Sequence, residues 1–245
     1  MNQYRKNMTI IEAMDERRSR RLYMNQPIDA SVLSKLLELI ATYNETAGVA
    51  IRFVEDGSMA FNSFRKSYGL FSGVRSLIVL AGPKSDPHLK EKVGYYGEML
   101  VLEATRLGLG TCWVGGTFET KNIQTQLKDD ELLVCVIPVG YVEALSFKEK
   151  MVHQMVAGKS KSVEQLLSSD EVIPEKILNG IKAAQKAPSA ANKQPVRFMY
   201  KGGVLTAHTD DDGKFNLVDL GIVKAHFELA AGGSFTLGNP ATYTD

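Results

Sequence analysis

Pro188-Ser189-Ala190-Ala191-Asn192-Lys193-Gln194-Pro195 is the most informative stretch of the chain. Proline at both ends restricts the backbone. Ser189, Asn192 and Gln194 bring donors and acceptors, while Ala190 and Ala191 leave room for a flat ring to approach. A plain helix-to-strand turn needs neither the glutamine nor the paired alanines. The flanks fit that placement. Pro174 sits where a first helical turn tolerates proline, and apolar residues recur at helical spacing to about Lys186. Val196 to Tyr200 then reads as a strand.

An earlier segment echoes this one. LLELIATYNETAGVAIRFV (36–54) and ILNGIKAAQKAPSAANKQPVRFM (177–199) each give a helix, a small-residue loop and a strand opening on Arg-Phe. The helix that follows repeats too: Gly94, Leu102 and Ala104 are spaced like Gly221, Leu229 and Ala231. Two matches in the same order point to duplication, with halves at 1–168 and 169–245. The copies differ in chemistry. The amide-rich loop is in the second half and the arginine run in the first, so one composite site is expected rather than two.

Working outward, residues 9–21 read as a helix, and Asp29 opens a second one carrying Val32, Leu36 and Ile40. Ala50 to Val54, Ser76 to Ala81 and Leu132 to Val139 read as strands. A long helix from about Lys92 closes at Gly108 and Gly110. Residues 143–162 read as a polar surface traverse. Val204 to His208 reads as a strand, the loop 209–214 as a hairpin-type turn and 217–231 as a last helix, followed by a small polar tail. Helices alternating with strands predict an α+β fold in α-β-α layers.

The 245 residues suffice for a large core, and 44% apolar with 23% charged residues is ordinary for a globular chain. A net charge of +1 argues against a nucleic-acid partner and for a small molecule. Cys112 and Cys135 are too few for a disulfide framework and are expected as buried, reduced thiols. No membrane span or signal segment is legible, so a cytoplasmic protein is expected. His88, His153, His208 and His226 lack metal-ligand spacing, and no metal is expected.

Three further segments carry candidate site residues. Arg17-Arg18-Ser19-Arg20-Arg21 crowds four guanidinium groups, which suit an anion; cations at a helix C-terminus are the ordinary alternative. Lys159-Ser160-Lys161 is a second cationic cluster, which by itself is an ordinary exposed lysine pair. In Trp113-Val114-Gly115-Gly116 the glycines uncover backbone N–H groups and the indole can pack on a ring; a helix end followed by a core tryptophan explains it as well. The run lacks the spacing of a dinucleotide-binding turn.

Taken in order, these segments resemble the FMN-dependent nitroreductase family. Its RRS-like run is matched by Arg17, Arg18, Ser19 and Arg21, and its PSxxNxQP loop by Pro188, Ser189, Asn192, Gln194 and Pro195. Leu107 to Gly110 matches its LGLG helix end, and Lys159-Ser160-Lys161 approaches its basic phosphate segment. Members carry PSxxNxQP early and share each flavin between two subunits. Here the loop is late, so the chain resembles a single-chain pseudo-dimer for which a monomer suffices.

The resemblance implies an FMN-dependent NAD(P)H oxidoreductase that passes a hydride through the flavin to a nitroaromatic, quinone or related small acceptor. It implies phosphate at Arg17, Arg18, Lys159 and Lys161, with Ser19 as an added donor among the cofactor-binding residues, and Arg21 beside the ring edge that gains charge on reduction. Trp113, Gly115 and Gly116, with Pro188, Ser189, Ala190, Asn192 and Gln194, are implied around the ring and its chain. An FMN-binding storage or sensing protein without turnover stays open as the alternative.

Overall fold

The computed structural model describes residues 8–61, 71–124, 126–145, 149–151, 154, 160–210 and 213–245. Helix α1 (Ile10–Glu16) starts at Thr9, whose hydroxyl accepts from the Glu12 N–H while the Glu12 carboxylate accepts from the Thr9 N–H at 2.7 Å. This reciprocal pair satisfies N–H groups that the first turn leaves open. Helix α2 (Ala30–Ala47) stops at Gly48, whose φ of +66° suits glycine. Strands β1 (Arg52–Val54), β2 (Ser76–Pro83), β3 (Gly110–Thr111) and β4 (Glu131–Gly140) form an antiparallel sheet in the order β1-β2-β4-β3. Helix α3 (Leu89–Arg106) lies between β2 and β3 in the chain.

The rest of the chain builds a second sheet. Strands β5 (Leu167–Ser169), β6 (Arg197–Lys201), β7 (Val204–His208), β8 (Ser234–Phe235) and β9 (Ala241–Thr244) take the order β5-β6-β7-β9-β8. Only β5 and β6 run parallel. Helices α4 (Glu175–Ala184) and α5 (Asn216–Ala231) pack with it. The class is α+β, as the pattern of helices and strands predicts.

Helices α3 and α5 lie against each other at the centre. Residues 218–227 of α5 are buried without a break, as expected of a helix enclosed on all sides. The crossing is reciprocal. A side chain on Gly94 would overlap the carbonyl oxygen of Val218, and one on Gly221 would overlap the carbonyl oxygen of Glu91. Each glycine thus meets the residue three places before the other. Backbones approach this closely only where no Cβ intervenes.

Several expectations shift. The first helix ends at Glu16, so the arginine run is extended chain rather than helix. It is fastened to the sheet edge, with Ser19 bridged to Thr111 and the Arg20 N–H donating to the Thr111 carbonyl at 2.8 Å. Those backbone bonds replace the ones a further helical turn would have made. The segment 209–214, of which 211–212 lie outside the described residues, falls between β7 and α5 in the chain, and the tight hairpin is instead Gly202-Gly203, at φ of +59° and +75°. The polar tail returns to the sheet as β8 and β9. The short β3 and β5 fall below the length at which alternation shows. Both cysteines are free and buried, as expected. Among the described residues no helix is long and apolar enough to cross a membrane.

Gly221→Ala should lower stability by about 1–3 kcal/mol, because the added methyl meets backbone rather than a side chain that can move. Gly116→Ala, with nothing near its Cβ, should stay within about 0.5 kcal/mol. Urea midpoints of the two variants check this.

Candidate functional site

A cavity of about 630 Å³ opens where the arginine run, the Trp113 loop, helix α5 and the 188–193 turn meet. Its walls include Arg17, Arg18, Ser19 and Arg21 on one side, Trp113, Gly115 and Gly116 on another, and Pro188, Ser189, Ala190 and Asn192 on a third. The structure therefore gathers these predicted residues around one space, of the size that encloses a cofactor-sized ligand. Lys161 and Gln194 lie outside its lining. Lys159 falls outside the described residues.

Each wall is held by its own local bonds. Arg18 donates to the carbonyls of Asp15 and Arg17, serving the end of α1 as well as the cavity. The Arg21 N–H donates to Glu149 at 3.2 Å, and Arg20 pairs with the same carboxylate at 3.2 Å. Arg20 thus faces away into a salt bridge while its neighbours line the cavity. Arg17 is different. Its side chain is 12% exposed, and its Nε is buried with no hydrogen-bond partner among the described residues. Burial pulls its guanidinium below the ordinary arginine range, partly opposed by Glu98 at 3.9 Å. A buried cation with an open N–H needs an anion or an acceptor.

The 188–195 turn is held under backbone strain. Ala191, Asn192 and Gln194 all adopt left-handed φ, at 51°, 53° and 46°. That conformation is costly for residues with a Cβ and persists only where surrounding bonds enforce it. Here the Gln194 N–H donates to the Ser189 hydroxyl at 2.9 Å, and the Ala190 N–H donates to both carboxylate oxygens of Asp219 at 3.1 Å. Gln194 itself is buried. Its Oε1 accepts from the Lys161 N–H at 2.8 Å, and its carbonyl accepts from Lys161 Nζ at 2.8 Å. These two residues bind each other and brace the turn from behind.

Gly115 admits the Phe215 ring, which would overlap any Cβ there, whereas the space above Gly116 is open. Trp113 packs on both main apolar clusters and donates its Nε1–H to Glu98 at 2.8 Å. Gly97 lets the indole in.

Among the lining residues that a sequence reading does not assign to the site are Cys112, Cys135 and Asp219. Burial pushes the Cys112 thiol up, with Arg21 and Arg17 opposing, and pushes the Cys135 thiol far up. Both line the cavity as neutral thiols rather than nucleophiles. Burial raises the Asp219 carboxyl to about 7, the Ala190 N–H and Lys193 acting the other way. One signal was available: an aspartate amid the apolar residues of the last helix. Among the described residues no cluster of metal-ligating side chains occurs.

The chain as a whole matches a known family. Residues 9–231 match the family model described as "Putative TM nitroreductase". The chain belongs to this nitroreductase family. No curated protein matches it. A solved structure from Thermotoga maritima, described as a "putative nitroreductase", is similar at 23% identity and a TM-score of 0.64, covering 96% of this chain and 92% of that one. An FMN-dependent nitroreductase from Clostridium difficile R20291 is 19% identical at a TM-score of 0.46, over 55% of this chain and 88% of its own. A nitroreductase with bound FMN from Desulfitobacterium hafniense DCB-2 is 16% identical at 0.45, over 57% and 93%.

Asp219 gives this wall a pH signature. Its unfolded carboxyl titrates near 3.8 and its folded one near 7. The folded state holds that proton across the window, so the contribution is full below the lower value and lost as pH rises through the upper one. Asp219→Asn should therefore gain stability relative to the unaltered protein between about pH 4 and pH 7. Urea unfolding of both proteins at several pH values reads the difference, which stays flat if Asp219 titrates normally.

Proposed function

We propose that the chain is an FMN-dependent NAD(P)H oxidoreductase acting on small oxidised acceptors such as nitroaromatics or quinones. The single observation that carries this is the convergence of Arg17, Arg18, Ser19 and Arg21 with the 188–192 turn on one cavity. Family membership supplies the class of chemistry. The donor set fits FMN. Arg17 offers a buried N–H with no hydrogen bond among the described residues, Arg18 a second guanidinium and Ser19 a hydroxyl, which together suit a phosphate. Small side chains at Ala190 and Gly116 leave flat faces for a ring, and Trp113 adds an aromatic wall.

Held by these residues, FMN would supply the hydride-transfer chemistry that links NAD(P)H to the acceptor. The protein's part is to bind, orient and tune. Arg21 on the cavity wall provides a fixed cation, and such a charge favours the electron-rich form of a ring. Phe215, Val218 and Ile222 give the lining apolar side chains against which a ring can pack. No side chain is needed as nucleophile, in keeping with the neutral thiols.

We also read the chain as an internal pseudo-dimer with halves at 1–168 and 169–245. Supporting this, Gly94 and Gly221, matched in the sequence, make the reciprocal α3–α5 contact that a two-fold axis requires. The arginine run then comes from one half and the amide turn from the other, so a monomer holds one complete site. Lys161 serves this site by bracing the turn through Gln194. In this reading Lys159 belongs with the phosphate-binding cations.

The purified protein should be yellow and release one FMN per chain. It should oxidise NAD(P)H when menadione is supplied. Flavin without turnover would favour the storage or sensing alternative, and a colourless protein that ignores added FMN would refute both. Arg21→Ala should weaken FMN binding or slow reduction by about tenfold, the effect of losing one charge-assisted bond. Unchanged binding and turnover would remove Arg21 from this role.

A further inference from the structure

One buried carboxylate touches residues from several walls of the cavity. Glu98 of α3 and His226 of α5 are both fully buried, and Glu98 Oε1 lies 2.9 Å from His226 Nε2. Glu98 Oε2 accepts from the Trp113 indole N–H at 2.8 Å, and Oε1 lies 3.9 Å from Arg17 Nε. The other face of His226 meets the Ala183 carbonyl at 3.1 Å, at the end of the helix that leads into the 188–195 turn. Arg17, Trp113 and the root of the amide turn are thus tied to a single pair at the helix crossing.

Hydrogen accounting fixes the charge of that pair. A carbonyl oxygen only accepts, so His226 Nδ1 must carry a hydrogen. One further hydrogen lies between Nε2 and Glu98 Oε1. With that hydrogen on either atom, the two residues together are neutral. Arg17, Glu98 and His226 taken together therefore carry one net positive charge, although Glu98 stands beside the guanidinium. The guanidinium keeps its charge in a mostly buried position, where an unmatched cation is costly until an anion arrives.

We propose that Glu98 and His226 are positioning residues whose shared proton keeps Glu98 from neutralising Arg17, reserving that cation for the phosphate of the bound nucleotide. The inference rests on the phosphate site described under the proposed function. His226→Gln removes the matching charge and leaves the Glu98 carboxylate facing Arg17. Glu98→Gln keeps a neutral pair: its amide oxygen can accept from Trp113 and its amide N–H can donate to a neutral His226. Combining both substitutions again leaves no net charge beside Arg17.

FMN and riboflavin are titrated into each protein after flavin removal, with binding read from flavin fluorescence and folding checked by thermal melting. Riboflavin lacks the phosphate and reports on the ring site alone. His226→Gln should weaken FMN by about tenfold or more, a change of ~1.4 kcal/mol, with riboflavin unchanged. Glu98→Gln should bind FMN within about threefold of the unaltered protein, and the double variant should regain what His226→Gln lost. A pair that only supports the fold behaves otherwise, with both single variants weakened for both flavins and the double variant no better. That result would overturn the inference and leave the phosphate site standing. If His226→Gln fails to fold, loss of FMN preference in Glu98→Gln alone would overturn it. Equal affinity for FMN and riboflavin in the unaltered protein would remove the phosphate site, and the inference with it.

Discussion

Two helix backbones touch where Gly94 meets the Val218 carbonyl and Gly221 meets the Glu91 carbonyl, and the rest of the molecule is arranged around that contact. Without a Cβ on either side, α3 and α5 come close enough to merge the cores beneath the two sheets. Trp113 and Val134 pack on both cores. The contact also sets the cavity. Asp219 and Val218 are wall residues next to the crossing on α5, and α3 leads through β3 into the Trp113 loop. A shift of one helix would move the aromatic wall relative to the amide turn.

The charges follow the same plan. The crossing buries Lys224 against Glu91 on one side and His226 against Glu98 on the other. Lys224 also donates to the Thr236 carbonyl, and the Gly238 N–H donates to Glu91, so the tail is fastened to the helix pair. Buried pairs of this kind add little net stability, yet breaking one leaves an uncompensated charge. Their value here is positional. Around the cavity the cations of the arginine run face neutral thiols and a carboxyl raised by burial, so the net field inside favours an anion.

Much of this could be read from the residues. Pro188 to Pro195 stands out because its composition exceeds what a turn requires, and its strain at Ala191, Asn192 and Gln194 explains why the surrounding bonds are so specific. Gly94 and Gly221 stand out in the sequence because the close crossing requires a glycine in each central helix. Other features depend on tertiary partners. The arginine run looks helical, and only the edge of β3 draws it into extended form. β8 and β9 carry no alternating pattern, since β9 is held by pairing with β7 and β8 by pairing with β9 rather than by an amphipathic face. The Asn and Gln of one loop look equivalent, yet Asn192 lines the cavity while Gln194 turns inward to Lys161. The Glu98–His226 pair joins residues 128 positions apart, a separation at which no local spacing rule applies.

The central claim is that the first-half cations and the second-half turn close on the same ligand. A crystal structure of the protein with FMN tests it most directly. The account predicts phosphate density within hydrogen-bonding reach of Arg17 and Ser19, with the ring between the Trp113–Gly116 loop and the 188–192 turn. FMN bound elsewhere, or touching only one of those two regions, would contradict it.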